Sequence, residues 1–150
     1  SPGHLTLLLE GPGEERPEAA LVGDLAVASG SVWVGHPEGD VALYLRSLER
    51  IAELMPRLLA PGHGEVIVAV QKRLAELSGH RLEREQQVLD GLERGPATLE
   101  ELTARIYHGH PAEVLELAAQ SVLAHLLKLM NEMRVLHMGE DEQGPYALRR

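Results

Sequence analysis

The chain has 150 residues, 14 Lys+Arg against 23 Asp+Glu, a formal net charge of -9 and 44% apolar residues, which suits one ordinary domain, or a small domain with part of another. With 25% charged residues and ample Leu, Val and Ala, the composition is that of a packed globule, not a disordered chain. The absence of Cys excludes disulfides, thiolate zinc fingers and cysteine nucleophiles; there is no apolar run of the roughly 18 residues a membrane span needs and no signal-peptide pattern, so a cytoplasmic protein with no membrane partner is expected.

Leu5-Thr6-Leu7-Leu8-Leu9 reads as a buried strand entered directly from a turn, as in a piece of something longer. Residues 10–18 are dense in turn formers and acids and read as an exposed hairpin loop, after which Ala19-Ala20-Leu21-Val22 re-enters the core as a second strand ended by Gly23-Asp24. Ser29-Gly30 marks a turn ahead of Val32-Trp33-Val34, where Trp33 reads as a packing residue. Asp40 is an N-cap candidate for a helix carrying Leu45, Leu48, Ala52 and Met55 at three- and four-residue spacing, stopped by Pro56. Leu58-Leu59-Ala60 reads as a short buried strand, with the tight turn Pro61-Gly62-His63-Gly64 at its C-terminal end.

The remainder is helical in pattern. A connecting helix runs from about Ala69 to Leu92 with Arg81, Arg84 and Glu85 as a solvated charge network, and Gly95-Pro96 closes it. Thr98-Leu99-Glu100-Glu101 is a capping box, opening a helix that ends near Tyr107. Pro111 suits the first position of the longest helix, whose apolar stripe is Leu115, Ala118, Val122, Leu126, Leu129 and Met133. Val135 to Met138 and Tyr146 to Leu148 read as two strands around the acidic turn from Gly139 to Gly144, completing a winged-helix pattern. From residue 98 to the end there are five Lys+Arg against eight Asp+Glu, a balance unsuited to phosphate contacts, so duplex DNA is not an expected partner and packing or dimerisation is the better role.

Asp24 and His63 both fall where a buried strand gives way to a Gly-rich turn, a place where a rigid sheet aims an accessible side chain. Carboxylate oxygen and imidazole nitrogen form a ligand set for zinc, iron or manganese, although each residue taken alone also suits an ordinary turn.

Three segments together, Ser1-Pro2-Gly3-His4-Leu5-Thr6-Leu7-Leu8-Leu9, Val22-Gly23-Asp24 and Leu59-Ala60-Pro61-Gly62-His63-Gly64, resemble the C-terminal half of the metallo-β-lactamase-fold hydrolases. His80-Arg81, Arg84-Glu85-Gln86-Gln87 and the winged-helix pattern look like the β-lactamase-like branch that ends in such a domain and includes endoribonucleases and thioesterase-like hydrolases. The resemblance implies an α+β chain: the C-terminal part of an αββα sandwich over 1–68, a connecting helix over 69–95 and a winged-helix-like domain over 96–150. It implies a two-ion zinc site in the parent fold, with Asp24 as the bridging ligand and His63 on the second ion. The implied nucleophile is a bridging hydroxide, and the implied substrate is a small-molecule ester or thioester, or the phosphodiester of RNA.

The sequence also departs from that pattern. The family's His-x-His-x-Asp-His cluster is absent from the eight histidines; His108-Gly109-His110 has only the first spacing and reads as loop histidines. A further family ligand, in a Pro-Gly-His turn, aligns just before Ser1, so that His4 matches a non-ligand position; on the alternative register Pro2-Gly3-His4 is the ligand turn and His4 joins the site. Two ligands predict weak metal binding by this chain, because zinc takes three or four. Half a sandwich exposes an apolar face, which predicts self-association or a partner supplying the N-terminal half. The alternative function is therefore non-catalytic: a truncated or degenerate homologue acting as an interaction or dimerisation module.

Overall fold

The computed structural model describes residues 3–150; Ser1 and Pro2, which open the first resemblance motif, lie outside the described residues. The elements are β1 (Leu7–Leu9), β2 (Ala19–Gly23), α1 (Val41–Leu54), β3 (Leu58–Pro61), α2 (Val70–Glu93), α3 (Leu99–Ile106), α4 (Ala112–Asn131), β4 (Val135–His137) and β5 (Tyr146–Leu148). The chain is α+β. It divides into two compact units, Ser1–Trp33 with Ala42–Arg81 and Val34–Val41 with Leu82–Arg150, so that α2 begins in one and ends in the other.

In the first unit β2 is the central strand of a β1-β2-β3 sheet, antiparallel to β1 and parallel to β3. Alternation along a strand sends successive side chains to opposite faces. One face carries Ala20, Val22 and Leu59, all fully buried, and the buried Leu48 and Ile51 of α1 and Leu74 and Leu77 of α2 complete this unit's core. The other face is apolar but open: Leu7 is paired with Leu21 and Leu9 with Ala19, and Leu7 and Leu9 are 63% and 58% exposed. The expected buried first strand is thus corrected on two counts. It is shorter, and Leu7 and Leu9 lie on the open face while Leu8, paired with Ala20, lies on the other.

Helix α1 stops one residue before the predicted stripe does. Met55 adopts a left-handed φ of 47° and donates its N–H to Ala52, so it belongs to the cap and lies exposed. Inside the helix, Tyr44 is buried and its hydroxyl has no hydrogen-bond partner among the described residues. Burial pushes its pKa up to about 12, against the smaller opposing pull of Arg81 and Arg73. A raised phenol pKa favours the neutral form in the folded state, so this stability is complete below pH 10 and is lost as pH rises through 12. Tyr44→Phe should stabilise the chain by about 1 kcal/mol at neutral pH, since the unpaired hydroxyl is removed. Urea titrations from pH 9 to 12 should also show a shallower alkaline loss of stability in this variant.

The second unit is built on the capping box found in the sequence. The Thr98 hydroxyl accepts from the Glu101 N–H at 3.2 Å while the Glu101 carboxylate accepts from the Thr98 N–H at 2.9 Å. Its core joins Val88 and Leu92 of α2, Leu102 of α3, Val122, Leu126 and Leu129 of α4, and Val135 and Tyr146 of the β4-β5 hairpin. Gly91 permits a close approach, because a Cβ there would stand 2.8 Å from the Leu102 side chain. Ala97 adds a bridge to Tyr146, giving the hairpin a third short partner. Two positions differ from expectation. Pro111 is the N-cap of α4 and not its first residue. Met133 leaves the apolar stripe: at φ 58° it bonds back to Met130 while Arg134 bonds back to Leu129, a Schellman closure that exposes the Met side chain.

Candidate metal centre

Parallel pairing brings the C-terminal ends of β2 and β3 to the same end of the sheet, where α/β sheets characteristically bind ligands. Gly23 is in register with Pro61, after a bulge between Leu21 and Gly23. Beyond it, Val22 to Leu25 forms a tight turn closed by the Leu25 N–H on the Val22 carbonyl at 2.9 Å. Gly23 has a φ of +49°, a conformation that suits glycine, and it turns the chain so that Asp24 leaves the sheet edge. The two turns are joined directly, since the Gly62 N–H donates to the Gly23 carbonyl at 2.9 Å. Gly62 packs closely on the first turn: a Cβ there would stand 3.3 Å from Asp24 Oδ1 and 3.4 Å from Gly23 Cα.

The outcome is that Asp24 and His63, 39 positions apart in sequence, meet. His63 Nε2 lies 3.6 Å from Asp24 Oδ1, with the side chains 84% and 74% exposed. That separation exceeds a hydrogen bond. It is close to the roughly 3.4 Å between two corners of a tetrahedral shell built on bonds of about 2.05 Å. The carboxylate oxygen and the imidazole nitrogen therefore converge at one exposed point at the end of the sheet. Among the described residues no group of three or more His, Cys, Asp or Glu is placed to hold a metal, so the pair stands as two converging groups.

His4 is nearby but differently engaged. Its Nε2 contacts the Val22 carbonyl at 2.9 Å, which turns this nitrogen toward the backbone and away from a role like that of His63. His108 and His110 lie in the second unit, where the His110 ring makes an edge contact with Tyr107. Two other readings are corrected. Arg81 and Glu85 are buried, at 5% and 6% exposed, where a solvated network was expected, while Trp33, read as a packing residue, is half exposed. Helical spacing placed the charges on one face but gave no sign that this face is covered.

Residues 98–143 match the beta-lactamase associated winged helix domain. The chain is 34% identical over 110 residues to the beta-lactamase-like protein 2 homolog of Drosophila melanogaster, covering 69% of this chain and 37% of that protein. It is 32% identical over 128 residues to the atrochrysone carboxyl ACP thioesterase of Aspergillus fumigatus, covering 77% and 38%. The crystal structure of a metallo-beta-lactamase family protein from Thermus thermophilus superposes with a TM-score of 0.72 at 31% identity, over 88% of this chain and 42% of that one. The chain belongs to the metallo-β-lactamase superfamily. This metallo-β-lactamase-like chain spans about two fifths of the length of these relatives, as a C-terminal portion would. Among its described residues, no helix is long and apolar enough to cross a membrane.

Proposed function

We propose that the chain contributes to a metal-dependent hydrolase, with Asp24 and His63 as two of the ligands and zinc as the cation. The observation that carries this reading is the 3.6 Å approach of Asp24 Oδ1 to His63 Nε2 across two adjoining turns. Asp24 would supply the negative charge toward the cation and neutral His63 the Nε2 lone pair, with the ring proton on Nδ1. A bound cation at this place supplies Lewis-acid activation of water and of the scissile carbonyl or phosphoryl group. The substrate class is an ester, thioester or phosphodiester, and a thioester is favoured by the similarity to a protein named as a carboxyl ACP thioesterase.

Zinc titration of isotopically labelled chain, followed by NMR, tests the ligand assignment. The expected result is a response confined to residues around Asp24 and Gly62 to Gly64, reduced at least tenfold in affinity in Asp24→Asn and in His63→Ala. A diffuse response, or one that both substitutions leave unchanged, overturns the assignment. A second reading, a non-catalytic interaction module, draws on the same partial shell: among the described residues only two ligands converge. A chain silent to zinc that sediments as a defined dimer would favour it.

A further inference from the structure

The Gly23-Asp24 turn is held by more than the sheet. The Val22 carbonyl receives two donors, the Leu25 N–H at 2.9 Å and His4 Nε2 at 2.9 Å. A carbonyl only accepts, so the proton of the His4 ring resides on Nε2. The same ring closes over Gly23, where a Cβ would stand 2.8 Å from His4 Cε1. His4 reaches this position from the lead-in to β1, 18 residues earlier in the chain.

Each tie fixes a different peptide plane. His4 holds the Val22–Gly23 plane through its oxygen, and the Gly62 N–H holds the Gly23–Asp24 plane through the Gly23 oxygen. Peptide units are rigid, so the freedom left between these planes is the φ and ψ of Gly23. Glycine is the residue least able to fix those angles by itself. With both flanking planes anchored, the place of the Asp24 Cα, from which its side chain departs, follows. With the His4 tie removed, the Val22 carbonyl keeps the Leu25 N–H alone, so the Val22–Gly23 peptide and the turn that carries Asp24 are held less firmly.

We propose that His4 is a positioning residue for the Asp24–His63 pair, acting through the Val22 carbonyl and the packing of its ring on Gly23. The metal consequence rests on the ligand reading given above, whereas the turn-fixing consequence stands apart from it. The role also explains how a histidine that matches a non-ligand position in the family pattern lies beside the site.

Native-state hydrogen exchange on the metal-free chain tests it, with His4→Phe keeping ring bulk without a donor and His4→Gln restoring an N–H donor. In His4→Phe the Leu25 and Gly62 amides should exchange about tenfold faster, with Leu126 and Leu129 amides in the second unit unchanged. His4→Gln should recover most of that protection. Wild-type exchange at Leu25 and Gly62 in His4→Phe overturns the inference, as does a Gln variant no better than Phe. If His4→Phe loosens the whole first unit, the comparison of wild type with His4→Gln carries the test on the same terms. Zinc titration of the same variants separates the two readings. Weakening by Asp24→Asn but not by His4→Phe refutes positioning, and indifference to Asp24→Asn refutes the ligand reading while leaving the exchange result to decide for His4.

Discussion

Glu85→Ala is expected to destabilise the second unit by about 3 kcal/mol. The Glu85 carboxylate is buried between Lys128 Nζ at 2.6 Å and Arg134 Nη1 at 3.1 Å, and Lys128 also reaches Glu132 at 2.7 Å. Glu85, Glu132, Lys128 and Arg134 thus form an ion-pair network linking the second half of α2, the C-terminal turn of α4 and the approach to β4. Burial alone would lower the Lys128 pKa, but its hydrogen bonds and charge interactions with Glu132 and Glu85 outweigh this and raise it. Removing Glu85 leaves a buried ammonium with one anion instead of two, which is why the loss should fall at the lower end of the range for a broken buried pair. Replacing both partners, as in Glu85→Met with Lys128→Met, should recover most of the stability, because neither charge is then stranded. Urea unfolding of the two variants beside wild type checks both statements. A single substitution that costs under about 1 kcal/mol would show that the group is hydrated in solution.

Gly139→Ala is expected to cost about 2 kcal/mol and to act locally on the β4-β5 hairpin. A Cβ at Gly139 would run into the carbonyl oxygen of Gly144, which is backbone and has no rotamer to yield. The turn between them is tied at several points: the Gly144 N–H to the Asp141 carbonyl at 3.1 Å, the Met138 N–H to the Pro145 carbonyl at 2.8 Å and the Tyr146 hydroxyl to the Glu142 carbonyl at 2.6 Å. Displacing one side must stretch several of these bonds together. Exchange at the Met138 and Gly144 amides should accelerate by more than tenfold, whereas amides in the first unit keep their rates. Unaltered protection at Met138 would mean that the turn accommodates the methyl group by another route.

Much of this was legible in the sequence wherever a local rule sufficed. Thr98 and Glu101 lie three apart, and that spacing alone specifies the reciprocal cap. Asp24 and His63 stood out because each ends a strand at a Gly turn, and parallel strand pairing then brings them within 3.6 Å of each other. What escaped was decided by contacts between segments. Nothing near Glu85 in sequence indicates that Lys128 and Arg134 bury it, since those cations come from 43 and 49 residues away. The outward leucines of β1 escaped because an apolar run gives no information on how many layers cover it. Met55 and Met133 satisfied the apolar spacing of their helices, yet each took a left-handed cap conformation, which periodicity cannot distinguish from one more helical residue. His4 was weighed as a ligand or as a bystander; its bond to a carbonyl 18 residues on depends on the sheet having formed.

The open leucine face of the first sheet has a practical consequence. Strand β1 lies at the sheet's margin, so its outer row of amide and carbonyl groups is presented beside Leu7 and Leu9. Apolar side chains next to an edge strand's outward backbone row are the ingredients of intermolecular strand addition. The loop that follows is rich in glutamate, with Glu10, Glu14, Glu15 and Glu18 close in sequence to that margin. Their mutual repulsion between molecules opposes such stacking at low ionic strength and fades as salt screens it. Purification in dilute buffer should therefore preserve this polypeptide in dispersed form better than the high-salt solutions often chosen to suppress nonspecific association.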